Sequence, residues 1–298
     1  SWEPEAIPTN AELLLRTMNN LLRNPLRALR VQARIVRQLA DAAGITSLSS
    51  AAAKADAAVK RVAQRGTGDG PSVAPRPTTP APRTPWNKAI SPHRRFAMRT
   101  ASLEDIKRLK NAAGATVNDV IMAISAGALR EYLLHHDALP ERPLRVLVPV
   151  SIRTGEESDV WTNRVSAVTA ELPTDCADPL ERVARCRDAM DEAKQQFETL
   201  PAAELLDLFQ FSSPALATAA SRVGSQLRLS DHLDPPVNLV ISNVPGPRRP
   251  LYFAGSKITH QFPLNIITDG QGLSITVMSY LDRLDFGFVA DRELVGEA

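Results

Sequence analysis

The sequence predicts an α/β protein with a mixed sheet, preceded by helices and a proline-rich linker. Residues 10–64 have helical patterns, residues 66–92 are rich in proline, and helical and strand patterns are interspersed from residue 93 onward. We therefore divide the chain into a helical segment (1–65), an inter-domain linker (66–92) and an α/β domain (93–298).

The helical segment has a basic stripe. No acidic residue occurs between Glu12 and Asp41, and arginines recur there at spacings of three, four or seven residues: Arg16, Arg23, Arg27, Arg30, Arg34 and Arg37. At about 100° per residue these arginines share one face of a helix, although Pro25 favours two shorter helices. Two interpretations stay open, namely a helix that binds a lipid surface and a helix packed on its own domain with a solvated basic face.

The linker is expected to be extended and solvated, because prolines recur from Pro71 to Pro92 with few apolar residues between them. Ser102 is the predicted N-cap of a helix that ends at Gly114, and Thr116 begins a long second helix. The remaining pattern predicts strands at 145–153 and 164–173, an amphipathic helix at 178–200 and helical structure at 202–230. Four strands are predicted to follow, over 238–244, 257–267, 273–281 and 285–291.

Composition narrows the function classes. The net charge of +2 argues against nucleic acid as a partner. The spacing of Cys176 and Cys186 does not match that of metal ligands, and no histidine has a second histidine at such a spacing. We therefore expect no metal site. So few cysteines indicate the cytoplasm, and no apolar stretch is long enough to predict a membrane span.

Several polar residues are candidates for a site. Asn118 and Asp119 lie in the first turn of a predicted helix, where polar residues are usually structural. Arg153 ends a predicted strand and is an anion clamp, an ion-pair partner or an exposed charge. Ser242 and Asn243 end an apolar strand just before the rigid turn Pro245-Gly246-Pro247. These two residues either bind a ligand or satisfy neighbouring backbone groups.

Six stretches together resemble the bacterial wax ester synthase/acyl-CoA:diacylglycerol acyltransferase family. They are ISPHRRFA (90–97), TVNDVIMA (116–123), LVPVSIR (147–153), NRVSAVTAELP (163–173), NLVISNVPGPRRPLYFAG (238–255) and DGQGLSITVMSYLDRLDFGFVADREL (269–294). The resemblance implies a fold like that of chloramphenicol acetyltransferase, with two similar halves and a tunnel between them. It also implies transfer of a long-chain acyl group from acyl-CoA, a substrate rather than a bound cofactor, to diacylglycerol or a fatty alcohol.

The family's general base is the second histidine of an HHxxxDG motif, and no histidine of this sequence is followed by Asp four residues later. We therefore expect a fragment without the N-terminal half and the extreme C-terminus, inactive alone and completed by that half as a partner. A peripheral position at a membrane or lipid droplet is a further expectation. The alternative is a non-catalytic lipid-surface-binding module on the same fold; an acyltransferase for a carrier-bound substrate would need the same histidine.

The resemblance also assigns roles to residues. It implies that four residues line the acyl-CoA and substrate site: Asn238, Ser242, Asn243 and Ser274. Ser274 stands where the family's GLNIT pattern has Asn, which leaves its role open. Structural roles near the site are implied for Asn118, Asp119, Arg153, Pro245, Gly246, Asp285, Phe286 and Gly287, with Arg153 as the candidate partner of Asp119.

Overall fold

The computed structural model describes residues 80–151, 165–198, 222 and 224–296. The elements named here belong to one unit, formed by Pro75–Glu198 and Arg228–Ala298. In chain order they are β1 (Arg94–Ser102), α1 (Leu103–Ala112), α2 (Val117–His135), β2 (Leu144–Ser151), β3 (Val165–Leu172), α3 (Pro179–Glu198), a 3-10 turn (Leu229–Asp231), β4 (Leu239–Val244), β5 (Tyr252–Phe253), β6 (Ser256–Lys257), β7 (Leu273–Tyr280) and β8 (Arg283–Asp291).

A mixed six-stranded sheet has the order β1-β8-β7-β4-β2-β3. The central strand β4 runs parallel to both β2 and β7, whereas β1, β8 and β7 form antiparallel pairs, as do β2 and β3. The predicted α/β class with a mixed sheet is confirmed. β5 and β6 form a separate hairpin.

Capping residues fix the starts of α1 and α2 where the sequence predicts them. The Ser102 hydroxyl accepts a hydrogen bond from the Asp105 N–H at 3.2 Å. Thr116 and Asp119 form a reciprocal capping box, in which each side chain accepts from the other residue's N–H. Gly114 lies between the two helices with φ of +59°, which a glycine adopts without strain.

The core lies between α2, α3 and one face of the sheet. Alternate strand residues such as Val146, Ile241 and Ile275 pack there with Ile121 of α2 and Met190 of α3. Because side chains alternate along a strand, the residues between them point to the opposite face of the sheet. That second face holds the polar residues described below.

The last part of the predicted linker is packed. Trp86 is fully buried, and its indole N–H donates to the Asn238 carbonyl at 3.0 Å. Ala81 is buried too, and its N–H donates to the Pro235 carbonyl. The expectation of a solvated segment is therefore wrong for residues 81–87, whereas the division of the chain into three segments stays a prediction.

The structure differs from the strands predicted from the sequence in two places. β1 was not predicted, because this edge strand is largely exposed and carries arginines that mask its alternation. The segment 257–267 is mostly irregular, since only Ser256–Lys257 forms a strand and the rest is held by side-chain contacts. Four predictions lie wholly or mostly outside the described residues: the arginine stripe, the linker at 66–79, Arg153 and the helix at 202–230. Of that last range only 222 and 224–230 are described, with 222 and 224–226 helical.

Candidate functional site

Three hydroxyl-bearing residues lie side by side on the second face of the sheet. The parallel register pairs Ser242 of β4 with Thr276 of β7, and it pairs Val240 with Ser274. Neighbouring strands lie about 4.8 Å apart, so these hydroxyl groups come from adjacent positions. We call Ser242, Ser274 and Thr276 the hydroxyl row.

Two hydroxyls of this row are buried without a partner. Ser274 is 1% exposed and Thr276 is 6% exposed, and neither hydroxyl has a hydrogen-bond partner among the described residues. An unsatisfied buried hydroxyl costs about 1–3 kcal/mol. Two such groups lie on neighbouring positions of this face, and their hydrogen-bonding capacity is not used by the described residues.

An irregular segment, residues 258–267, approaches the same face. Gly287 of β8 is in register with Thr276, and a Cβ at Gly287 would come within 1.9 Å of the Pro263 carbonyl oxygen. Only glycine permits this contact, so Gly287 lets the segment approach the sheet beside the hydroxyl row. The neighbouring Phe286 points the other way, into the core.

The carboxylate of Asp285 holds the segment in place. It is fully buried and accepts hydrogen bonds from the Gln261 N–H at 2.7 Å and from the Thr100 hydroxyl at 2.7 Å. His260 Nδ1 lies 3.0 Å from the same carboxylate. Burial opposes ionisation of Asp285, but the bonds from His260, Gln261 and Thr100 together lower its pKa.

Both ring nitrogens of His260 are engaged. The Arg283 guanidinium donates to Nε2 at 3.0 Å, and a guanidinium has no acceptor, so Nε2 carries no proton. The proton is therefore on Nδ1, which donates to Asp285. A histidine held at both nitrogens is suited to fixing the segment rather than to abstracting a proton from an acceptor alcohol.

Asn238 is bonded within the chain, and its place in a substrate-lining set stays a prediction. It is fully buried, and its Oδ1 accepts from the Arg145 N–H at 2.8 Å. Its Nδ2 donates to the Pro82 carbonyl and to Asn87 Oδ1. The amide oxygen is thus bonded to β2 and the amide nitrogen to the end of the linker.

Ser242 and Asn243 are half-buried, in contrast to Asn238. Within the described ranges, neither side chain makes a hydrogen bond that would occupy it. The turn that follows is fixed, because the Gly246 N–H donates to the Ser279 hydroxyl at 2.9 Å. A Cβ at Gly246 would come within 1.9 Å of the Ser279 carbonyl oxygen, so this turn with Pro245 requires glycine. The lining role of Ser242, Asn243 and Ser274 stays a prediction.

Asp119 is buried at the start of α2. Its Oδ2 accepts from the Thr116 N–H at 2.8 Å, which accounts for one oxygen. Its Oδ1 is buried and has no partner among the described residues. Asn118 beside it is half-buried. Since Arg153 is not described, the predicted pairing of Asp119 with Arg153 stays a prediction.

The cysteines and carboxylates of the described ranges do not form a metal centre, since no group of three His, Cys, Asp or Glu side chains there could hold an ion. Burial, with the Asp119 charge adding to it, raises the pKa of the Cys186 thiol to about 12. Such a thiol is protonated at neutral pH and is a poor nucleophile.

No single helix of the described residues is long and apolar enough to cross a membrane. Together α1 and α2 reach the length and apolar composition of a span, but a bend of 100° lies between them.

Three residues of this region are not among the site residues that the sequence predicts, namely Thr276, Thr100 and Asn87. Thr276 can be predicted from the sequence, because it lies two positions after Ser274 and therefore faces the same side of a strand. Thr100 and Asn87 carry no such signal, since each acquires its role from a residue more than 150 positions away.

Two domain families match this chain. The wax ester synthase/diacylglycerol acyltransferase catalytic domain matches residues 3–121, and the C-terminal domain of the same family matches residues 161–298. Among solved structures, the wax ester synthase/diacylglycerol acyltransferase of Marinobacter aquaeolei is 34% identical with a TM-score of 0.57, covering 73% of this chain and 48% of that one.

Curated relatives agree with these matches. A putative diacylglycerol O-acyltransferase of Mycobacterium bovis is 40% identical over 215 residues, which is 72% of this chain and 46% of the relative. The O-acyltransferase WSD of Acinetobacter baylyi is 39% identical, over 71% of this chain and 44% of the relative. The chain thus spans about half the length of the curated relatives it matches. The expected family and fold class are confirmed, and the chain belongs to the wax ester synthase/diacylglycerol acyltransferase family.

Proposed function

We propose that this chain is the C-terminal part of an O-acyltransferase that transfers a long-chain acyl group from acyl-CoA to diacylglycerol or a long-chain alcohol. The observation that carries the proposal is the hydroxyl row on β4 and β7, whose buried hydroxyls offer unused hydrogen bonds. The row lies in a chain that is 34–40% identical to proteins named as such acyltransferases.

The chemistry joins an alcohol to a thioester. The acceptor hydroxyl attacks the thioester carbonyl carbon while a general base takes its proton. The tetrahedral intermediate collapses to an ester, the carbon–sulfur bond breaks, and the thiolate of CoA receives the proton. The base would come from a part of the protein outside this sequence. Acyl-CoA is a substrate in this scheme, and no permanently bound cofactor is required.

The hydroxyl row would contribute in two ways. The hydroxyls of Ser242 and Thr276 can donate to the oxyanion that forms on the thioester carbonyl, or to the amide oxygens of the pantetheine arm. The Asn243 amide lies one residue from Ser242 and offers both a donor and an acceptor. Because the Gly246 turn fixes the end of β4, these groups are held in place before the substrate binds.

The test measures thiol release from palmitoyl-CoA by the full-length protein, with diolein or hexadecanol as the acceptor and the ester product identified by mass spectrometry. We expect acceptor-dependent release, none from this chain alone, and restored release when a separately made N-terminal half is added. A folded full-length protein that forms no ester with either acceptor would overturn the proposal and favour a lipid-surface-binding module.

A further inference from the structure

A two-stranded hairpin projects two aromatic side chains from the unit. β5 and β6 pair Tyr252 with Lys257 and Phe253 with Ser256. The connecting residues Ala254 and Gly255 have φ of +47° and +81°, as in the tight two-residue turns that suit the twist of a hairpin. We call residues 251–258 the aromatic hairpin.

The base of the hairpin is fixed to the sheet. The hydroxyl of Tyr280, a fully buried residue of β7, accepts from the Leu251 N–H at 2.9 Å and donates to the Ile258 carbonyl at 3.0 Å. The Ile258 N–H donates to the Leu251 carbonyl at 2.9 Å, which closes the base. One buried tyrosine therefore holds both strands, so the tip needs no ordering when it binds a partner.

The tip is apolar and exposed. Tyr252 is 63% exposed and Phe253 is 78% exposed. Aromatic side chains have a large apolar surface, and tyrosine adds a polar end, the combination that is enriched where proteins meet the headgroup region of a membrane.

The flanks of the hairpin are basic. Arg248, Arg249 and Lys257 are exposed, and the stretch from Pro245 to Ile258 contains no Asp or Glu. A cationic rim around an aromatic tip is complementary to a surface with anionic headgroups over an apolar interior.

We propose that the aromatic hairpin binds an anionic phospholipid surface, with Tyr252 and Phe253 inserted among the headgroups and acyl chains and with Arg248, Arg249 and Lys257 against the phosphates. This inference rests on the proposed function in one respect: a diacylglycerol or long-chain alcohol acceptor resides in such a surface. The hairpin would then hold the acyltransferase where its acceptor is.

The test is sedimentation of the full-length protein with phosphatidylcholine vesicles that contain or lack phosphatidylglycerol, without acyl-CoA. We expect binding to require phosphatidylglycerol and to weaken about tenfold in the double variant Tyr252→Ser/Phe253→Ser, since each aromatic loses its apolar burial. The matched control is Leu180→Ser on α3, where a leucine is 73% exposed and should bind as the unaltered protein does.

A second variant separates the charges from the aromatics. Replacing Arg248, Arg249 and Lys257 by glutamine should remove most of the dependence on phosphatidylglycerol and on salt, by about fivefold in affinity per charge. If this variant and the double aromatic variant both sediment like the unaltered protein, the hairpin does not bind the lipid.

Fluorescence shows whether lipid or another part of the polypeptide covers the tip of the aromatic hairpin. In Phe253→Trp, the added emission should shift to shorter wavelength when anionic vesicles are added. Emission that is already at short wavelength and unchanged by vesicles would show that another part of the protein covers the tip, which overturns the inference. Hairpin-dependent vesicle binding without any ester formation would instead reject only the proposed function.

Discussion

Asp285 and His260 join an irregular segment to the sheet through a 3.0 Å contact between a buried carboxylate oxygen and Nδ1 of the imidazole. Asp285 is fully buried, and the His260 side chain is 33% exposed. The same carboxylate receives the Thr100 hydroxyl from β1 and the Gln261 N–H from the segment. One side chain thus links two strands to the segment that lies beside the hydroxyl row.

Removing the charge of Asp285 should therefore destabilise the protein. In Asp285→Asn the amide cannot accept all three bonds and presents its own donors to other donors. We expect the free energy of unfolding to fall by about 3 kcal/mol, as for other buried charges that lose their hydrogen bonds. Urea unfolding measures this change.

The adjacent Asp282 gives the matched control. Its side chain is 82% exposed and lies beside Arg283 at 3.6 Å. Asp282→Asn should change the free energy of unfolding by less than about 0.5 kcal/mol, as exposed substitutions usually do. Equal effects of the two variants would contradict an anchoring role for Asp285.

Acid should destabilise the protein through Asp285 and Asp291. Burial opposes ionisation of each carboxylate, but accepted hydrogen bonds outweigh it and lower both pKa values. The unfolded chain then binds protons at higher pH than the folded one, so the stabilisation is complete above the unfolded Asp pKa of about 3.9 and is lost as pH falls through the lower folded values. Unfolding followed at several pH values tests this, and Asp285→Asn should have a shallower acid dependence. An unfolding free energy independent of pH in the acid range would contradict the prediction.

The sequence predicts well whatever depends on local pattern. The caps at Ser102 and Thr116 and the buried strands follow from capping chemistry and hydrophobic period, which act within a few residues. Trp86 and the segment 257–267 were misassigned because their structure depends on partners distant in sequence. Trp86 is buried through contact with Asn238, and the segment is held by Asp285.

The candidate site also depends in part on residues that are distant in sequence. Ser242 and Asn243 could be singled out because two polar residues end an apolar strand. Their neighbour Thr276 becomes part of the row only through the parallel register of β4 and β7, which no local pattern fixes. Asn238 lies just before the strand that contains Ser242, yet it is fully buried with its amide oxygen bonded, whereas Ser242 is half-buried.

Substitution of Asn238, just before β4, and of Asn243, within β4, should separate an effect on stability from an effect on activity. Asn238→Ala removes the acceptor of the Arg145 N–H and the donor to the Pro82 carbonyl, so the free energy of unfolding should fall by about 3 kcal/mol. Asn243→Ala removes a half-buried amide and should change stability little while lowering kcat/KM for acyl-CoA in the full-length protein. Unfolding and thiol-release assays on both variants decide this, and a large stability loss in Asn243→Ala would assign it a packing role instead.

Thr276→Val tests the hydroxyl row most directly, because the substitution keeps the shape and removes a hydroxyl that has no partner in the described structure. The folded protein should become more stable by about 1 kcal/mol. If the hydroxyl donates to the substrate in the transition state, kcat/KM for palmitoyl-CoA should fall about tenfold or more.

Thr174→Val is the matched control, since Thr174 is fully buried after β3 and its hydroxyl also lacks a described partner. That variant should gain the same stability and retain full activity. Equal activities in the two valine variants would remove Thr276 from the site, whereas a loss confined to Thr276→Val places a substrate group against the second face of the sheet.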